Sequence, residues 1–183
     1  KLIFQKSNVK EEKEDCSLEI QYFRHELPAA NSPLESLRQI IDQLKNEQTW
    51  LSSQPIEALI GLIGKVAQKW NTDSAYAFLK DKGLFFLSSW CSTKPFPNSD
   101  KHYLKANPRG LVCHWMAGNV QILGLFALVQ TILTKNVNLL KVSAKDGGVF
   151  STLLQAFEGE SFTTESGYTV LGNDLLKTIA VVY

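Results

Sequence analysis

The sequence predicts an α/β fold, with helices first and then the opening strands of a parallel sheet. Three observations carry that prediction. Residues Arg109 to Gly148 read as strand, Gly-Asn turn, apolar helix, second strand and polar loop. A strand that returns to a parallel strand through a buried helix is a βαβ unit. Ahead of it, apolar residues recur at helical spacing over residues 34–44 and 56–70. The chain closes on Lys177-Thr-Ile-Ala-Val-Val-Tyr183, a buried-strand pattern.

The 183 residues suit one domain, or one domain with a small appendage. Hydrophobic residues make up 44%, enough to form a core. Lys plus Arg number 19 against 18 Asp plus Glu, so charge gives no case for nucleic acid or an anionic membrane as partner. Three cysteines, Cys16, Cys91 and Cys113, are too few and too widely spaced for a disulfide framework or a metal site. They fit a reducing compartment. His25, His102 and His114 show no metal-ligand spacing. The polar N-terminus does not read as a signal peptide. The longest apolar run, Val120 to Leu133, is broken by Gln121, Gln130 and Thr131 and falls short of the roughly 20 residues that span a bilayer. The expectation is a soluble, cytoplasmic protein. The chain starts at Lys1 and stops in a buried-strand pattern, so it is expected to be the front part of a longer protein.

Two short strands are expected first, Leu2–Phe4 and Glu19–Phe23, separated by the solvated charge run 10–15. Ser32-Pro33-Leu34-Glu35 starts a helix. Ser32 caps it, Pro33 fits its first turn and Glu35 completes a capping box. Leu34, Leu37, Ile40, Ile41 and Leu44 give it an apolar stripe. A second helix begins near Pro55, with Ile56, Leu59, Ile60, Ile63, Val66 and Trp70 on one face. A third begins at Thr72-Asp73 and carries Tyr76, Phe78 and Leu79, with the aromatic stretch 84–87 and Trp90 beyond it. These aromatic residues read as core.

Pro95 to Pro108 is rich in turn residues and marks the internal boundary. Residues 1–107 are the N-terminal arm and helical segment, and residues 108–183 the first part of a sheet domain. That part runs as strand Gly110–Trp115, helix Asn119–Thr134, strand Val137–Val142, helix Val149–Phe157 and strand Thr178–Tyr183. Residues 158–177 read as a loop with one short strand at Tyr168–Leu171.

The residues with chemical potential cluster where the first two strands of that domain end. In open α/β sheets this edge is where ligands bind. Gly118 lets the backbone turn sharply toward a ligand. Asn119 has two possible roles, as a helix cap or as an amide donor to a developing oxyanion. Lys141, at the end of a buried strand, either reaches solvent or meets ribose hydroxyls or a phosphate. Ser143 either caps the next helix or contacts phosphate. Asp146-Gly147-Gly148 precedes a helix whose N–H groups could accept an anion, or it is a plain cap and loop. No GxGxxG or Walker pattern is present. Cys113 lies mid-strand among apolar neighbours and is expected to be buried and inert, with His114 on the opposite face.

Taken in order and spacing, these features resemble the aldehyde dehydrogenase superfamily, and more closely its acyl-CoA reductase branch, the LuxC-type fatty-acyl reductases. The resemblance rests on Ala117-Gly118-Asn119-Val120 and on the run Lys135-Asn136-Val137-Asn138-Leu139-Leu140-Lys141-Val142-Ser143. It covers residues 110–157, and Asn119 and Lys141 stand 22 residues apart, close to the family's spacing. The final strand is similar to the one before the family's nicotinamide-side turn.

What this resemblance implies is part of an aldehyde-dehydrogenase-like Rossmann-type cofactor domain behind an N-terminal helical segment. The implied reaction reduces a fatty acyl-CoA to the aldehyde, through a cysteine thioester, with NADPH. Asn119 would be the oxyanion donor, Lys141 and Ser143 would hold the adenosine ribose or its phosphate, and Trp115 and Met116 would line the cofactor cleft mainly through backbone. No metal is implied, and a homodimer is. The chain departs from the pattern at Met116 and Gln121, where many relatives have Pro. Ala144 stands where many aldehyde dehydrogenases place an acidic residue, which favours NADP over NAD. The family's nucleophilic cysteine lies well downstream of this region and has no counterpart among these residues, so the 183 residues alone are expected to be inactive. Two other readings remain: a different superfamily oxidoreductase acting on an acyl phosphate or an aldehyde, and a non-catalytic α/β binding module.

Overall fold

The structure, a computed structural model, describes residues 18–74, 107–116, 121–143 and 148–183. The expected strand Leu2–Phe4, Cys16, the third helix and the aromatic stretch beyond it, Cys91, His102 and most of the Pro95–Pro108 loop lie outside the described residues. No helix among those described is long and apolar enough to cross a membrane.

Helix α1, Pro33–Ser53, starts as the capping box requires. Ser32 Oγ accepts from Glu35 N at 3.2 Å, while the return bond to Glu35 Oε2 comes from Asn31 N, one residue upstream of the cap, at 2.7 Å. Helix α2, Ile56–Thr72, buries Leu59, Ile63, Val66 and Trp70 as expected. Ile56 and Ile60 do not follow, being 42% and 39% exposed. Ala58, Leu62 and Ala67 are buried instead, so the core-facing stripe is turned away from Ile56 and Ile60.

Four strands form one sheet in the order β1-β6-β3-β2. Here β1 is Ile20–Tyr22, β2 Leu111–Trp115, β3 Val137–Lys141 and β6 Ile179–Val182. Strands β2, β3 and β6 are parallel, and β1 joins the outer edge antiparallel to β6. Helix α3, Gln121–Leu133, connects β2 to β3. Helix α4, Val149–Gln155, leaves the sheet after β3. Every residue of β6, and of β3 up to Leu140, is buried, which is why β6 reads as an unbroken apolar run and β3 as one broken only by Asn138 before Lys141. One hydrophobic core joins α1 and α2 to the sheet and to α3 and α4. Trp70 sits in it, with its ring edge-on to Phe157 and its indole N–H donating to Leu153 O at 3.3 Å.

Two expectations are corrected. The stretch 158–177 is not a loop with one strand. It holds an antiparallel hairpin of β4, Ser161–Thr163, and β5, Thr169–Leu171, followed by a short helix α5, Gly172–Leu176. The strands are three residues each, too short for alternation to show in sequence. The turn between them is closed by Gly167 at φ 84°. The hairpin is tied to the α1–α2 corner by Tyr168, whose hydroxyl donates to buried Gln54 at 2.8 Å. The second correction is Cys113, which is exposed rather than buried. Burial on β2 alternates, leaving Cys113 and Trp115 open while Leu111, Val112 and His114 are partly covered. The mid-strand position suggested cover on both faces, whereas on the face of β2 that carries Cys113 and Trp115 only Leu111 packs against the core among the described residues.

Candidate functional site

The candidate site is the edge at which β2 and β3 end side by side. The register sets Trp115 opposite Lys141, and Lys141 lies opposite Val182 of β6. The ladder runs one step further: Met116 N donates to Lys141 O, and Val142 N to Val182 O, each at 2.9 Å. Parallel pairing therefore fixes where Trp115, Met116, Lys141 and Ser143 leave the sheet.

The two faces of the sheet separate these side chains. His114 and Asn138 meet Thr131 of α3, so the even positions of β2 and β3 face that helix. Cys113, Trp115 and Lys141 face the other way. Lys141 Nζ stands over the Trp115 ring, 5.3 Å from its centroid, within cation–π range. Among the described residues no carboxylate lies within ion-pair distance of Lys141. Met116 turns inward and packs against the core beside α3 and α4. A Cβ on Gly124 would lie 1.9 Å from Met116 Cε and 2.4 Å from Phe150 Cζ. A glycine on α3 is thus what lets the end of β2 close onto the helix. Asn119, Asp146 and Gly147 lie outside the described residues. Gly148, at φ 79°, opens α4 without a side-chain cap.

Sequence reasoning treated Lys135-Asn136-Val137-Asn138 as part of a recognition motif and missed what these residues do locally. Lys135 ends α3 in the left-handed region, at φ 62°. Lys135 N donates to Ile132 O at 2.8 Å and Asn136 N to Thr131 O at 2.9 Å, the paired bonds of a Schellman cap. Lys135 Nζ reaches Ser52 O at 3.0 Å, and Lys135 O accepts from Gln48 of α1 at 2.7 Å. Asn136 Oδ1 accepts from Arg109 N at 2.6 Å and Gly110 N at 3.2 Å, stapling the entry to β2. Asn138, fully buried, accepts from His114 Nε2 at 2.9 Å and from the Thr131 hydroxyl, and donates to Asn136 O at 2.7 Å. His114 Nε2 faces an amide oxygen, so it carries the proton. The available signal was a pair of alternating asparagines, Asn136 just before β3 and Asn138 within it, among mostly apolar neighbours.

The charged clusters lie elsewhere. Glu160 pairs with Lys65 at 2.9 Å and Lys69 at 3.3 Å, and hydrogen bonding from Lys65 first, then Lys69, holds its carboxyl below the usual range against the effect of burial. Asp174 pushes the Lys177 ammonium up through a 2.9 Å hydrogen bond. Openings of about 400 and 360 Å³ lie between α2 and the β4–β5 hairpin, against Phe162. They contain none of the strand-end residues. The strand edge is the better candidate, because a lysine and an aromatic ring converge there at the carboxyl ends of parallel strands.

The family described as "Acyl-CoA reductase (LuxC)" matches residues 80–183. The chain is 38% identical over 55 residues to the long-chain acyl-protein thioester reductase of Aliivibrio fischeri, which covers 30% of this chain and 12% of that protein. It is 38% identical over 58 residues to the enzyme of the same name from Photorhabdus laumondii, covering 32% of this chain and 12% of the relative. A long-chain acyl-protein thioester reductase 2 from Photobacterium leiognathi is 38% identical over 55 residues, again 30% and 12% of the two chains. The matched segment is thus well under two thirds of these relatives. No solved structure matches the chain.

Proposed function

The chain belongs to the acyl-CoA reductase (LuxC) family, and from that premise we propose that its strand edge is the nucleotide-holding part of an NADPH-dependent reductase of fatty acyl thioesters. The observation that carries this reading is the pairing of Lys141 with Trp115 at the ends of adjacent parallel strands, with no carboxylate partner for the lysine among the described residues. An ammonium so placed suits a phosphate or ribose hydroxyls. Ala144, next after Ser143 in sequence, adds no negative charge, which suits a 2′-phosphate and hence NADP.

A bound nicotinamide supplies the hydride. The chain's own residues hold and orient. Lys141 and Ser143 take the adenosine ribose or its phosphate, and the backbone of Trp115 and Met116 borders the cleft. Asn119 donates its side-chain N–H to the oxyanion that forms when a thiolate attacks the acyl carbonyl. Removing such a donor costs about 3–4 kcal/mol of transition-state stabilisation. Attack forms the new carbon–sulfur bond, and collapse of the oxyanion breaks the bond to coenzyme A, which leaves as its thiolate. Reduction of the resulting thioester then frees the aldehyde and the enzyme thiolate. That nucleophile is assigned to a cysteine outside these 183 residues, because the family's thiol lies well downstream of this region.

The test uses the protein at its full natural length with NADPH and a long-chain acyl-CoA. Acyl-CoA-dependent loss of NADPH absorbance, with fatty aldehyde recovered, is expected. If NADPH is not consumed, the reductase reading fails.

A further inference from the structure

Trp115 is 83% exposed. Trp70, by contrast, is buried and Trp50 packs against the core. An indole ring left in water at a sheet edge forgoes a large burial gain. Its place is specific: it ends β2, pairs in register with Lys141, and carries that residue's ammonium at 5.3 Å from its ring centroid. The lysine rests against a surface that leaves most of the indole open.

We propose that the Trp115 side chain is a stacking platform for the adenine base of the dinucleotide, with Lys141 at its rim to meet the adjoining ribose phosphate. The proposal rests on the reading of this edge as a nucleotide site and departs from it by giving the indole, rather than the backbone, the main contact. A flat heteroaromatic base stacks on an indole whatever its hydrogen-bonding edge. Charge selects which half of the dinucleotide lies here. Reduced nicotinamide is neutral and its ribose bears no 2′-phosphate, so that half offers Lys141 only the shared pyrophosphate. Adenine is neutral, and its ribose carries phosphate, which the same ammonium attracts. Trp115 and Lys141 thus offer a π face and a cation side by side, matching a base and its phosphate.

The experiment compares wild type, Trp115→Ala and Trp115→Phe at full natural length by calorimetric titration with adenosine 2′,5′-bisphosphate, NADPH and nicotinamide mononucleotide. Thermal midpoints are recorded alongside. Trp115→Ala is expected to weaken the bisphosphate and NADPH about tenfold, roughly 1.4 kcal/mol, while Trp115→Phe retains most of the affinity and mononucleotide binding is unchanged. Tryptophan fluorescence should be quenched by the bisphosphate in wild type, and that quench should be lost in Trp115→Phe. If Trp115→Ala binds the bisphosphate within twofold of wild type, the platform is overturned and the nucleotide site stands. A lowered thermal midpoint with unchanged affinity overturns it too and assigns Trp115 to packing against another part of the protein. If wild type binds neither NADPH nor the bisphosphate, the nucleotide reading and the platform fall together.

Discussion

Replacing Asn138 with alanine removes the group that ties β2, β3 and α3 together. Asn138 is fully buried, and it bonds His114 at 2.9 Å, Asn136 O at 2.7 Å and the Thr131 hydroxyl. The threonine has a second acceptor, Leu128 O at 2.9 Å. His114 is left with the longer 3.3 Å contact to Thr131. Two bonds are therefore lost without replacement, at about 1 kcal/mol each, and unpaired buried partners add about 1 kcal/mol or more. The expected loss is about 2–4 kcal/mol. At roughly 2–4 °C per kcal/mol for a domain of this size, the thermal midpoint should fall by roughly 5–15 °C. Urea and thermal unfolding followed by circular dichroism measure both quantities. A double-mutant cycle with His114→Ala should show the two losses failing to add, with a coupling of at least about 0.5 kcal/mol. A loss under about 0.5 kcal/mol, or simple additivity, would refute the claim that this network anchors the βαβ unit.

Three further outcomes are expected. A Cβ on Gly172 would stand 2.0 Å from the backbone oxygen of Phe157, a partner that cannot swing away, so Gly172→Ala should cost about 1–3 kcal/mol in chemical denaturation. Glu160 has its carboxyl held below the ordinary 4.5, chiefly by Lys65. A folded-state value below the unfolded one gives stability that is full above the unfolded value and is lost as pH falls through the folded value. The stability advantage of wild type over Glu160→Gln should therefore shrink on acidification below about pH 4.5, and a pH-independent difference in thermal midpoint would contradict it. Lys141→Ala should weaken NADPH about tenfold to a hundredfold in calorimetry, the range for a lost charged hydrogen bond, and unchanged affinity would take Lys141 out of the site.

The sequence made the βαβ unit and its neighbours legible because they are written in long patterns: thirteen residues of mostly apolar helix in α3, the apolar strand β6, and β3 with Asn138 as its one internal polar residue. The α1 start was legible because Ser32, Pro33 and Glu35 each carry a local rule. What escaped was short or depended on cover from elsewhere. The β4–β5 hairpin has one fully buried side chain, Val170, too little for a pattern. Ile56 and Ile60 satisfied the helical period of α2 and still lie in solvent, because periodicity fixes a stripe only to within the width of a side chain. Cys113 failed for a related reason: an apolar strand segment does not declare whether one face or two are covered. At the candidate site, the sequence placed Lys141, Ser143, Trp115 and Met116 at strand ends, and the strand ends lie where it put them. The contact between the Lys141 ammonium and the Trp115 ring needed the inter-strand register, which no local pattern holds.

The run from Lys135 to Ser143 reads in sequence as one motif, and the pleat divides it into two tasks. Lys135 and Asn136 close the turn from α3 into β3, and Asn138 faces α3 and locks it to β2. Lys141 faces the other side and reaches the strand edge beside Trp115. A period of two puts scaffold and ligand contact three residues apart on opposite faces, so a single stretch can both set the register and present the cation that the register aims. The division has a measurable consequence. Asn138→Ala should lower stability while the folded protein keeps its NADPH affinity, and Lys141→Ala should do the reverse. If Asn138→Ala instead lost NADPH affinity at undiminished stability, the two faces would have been assigned the wrong way round.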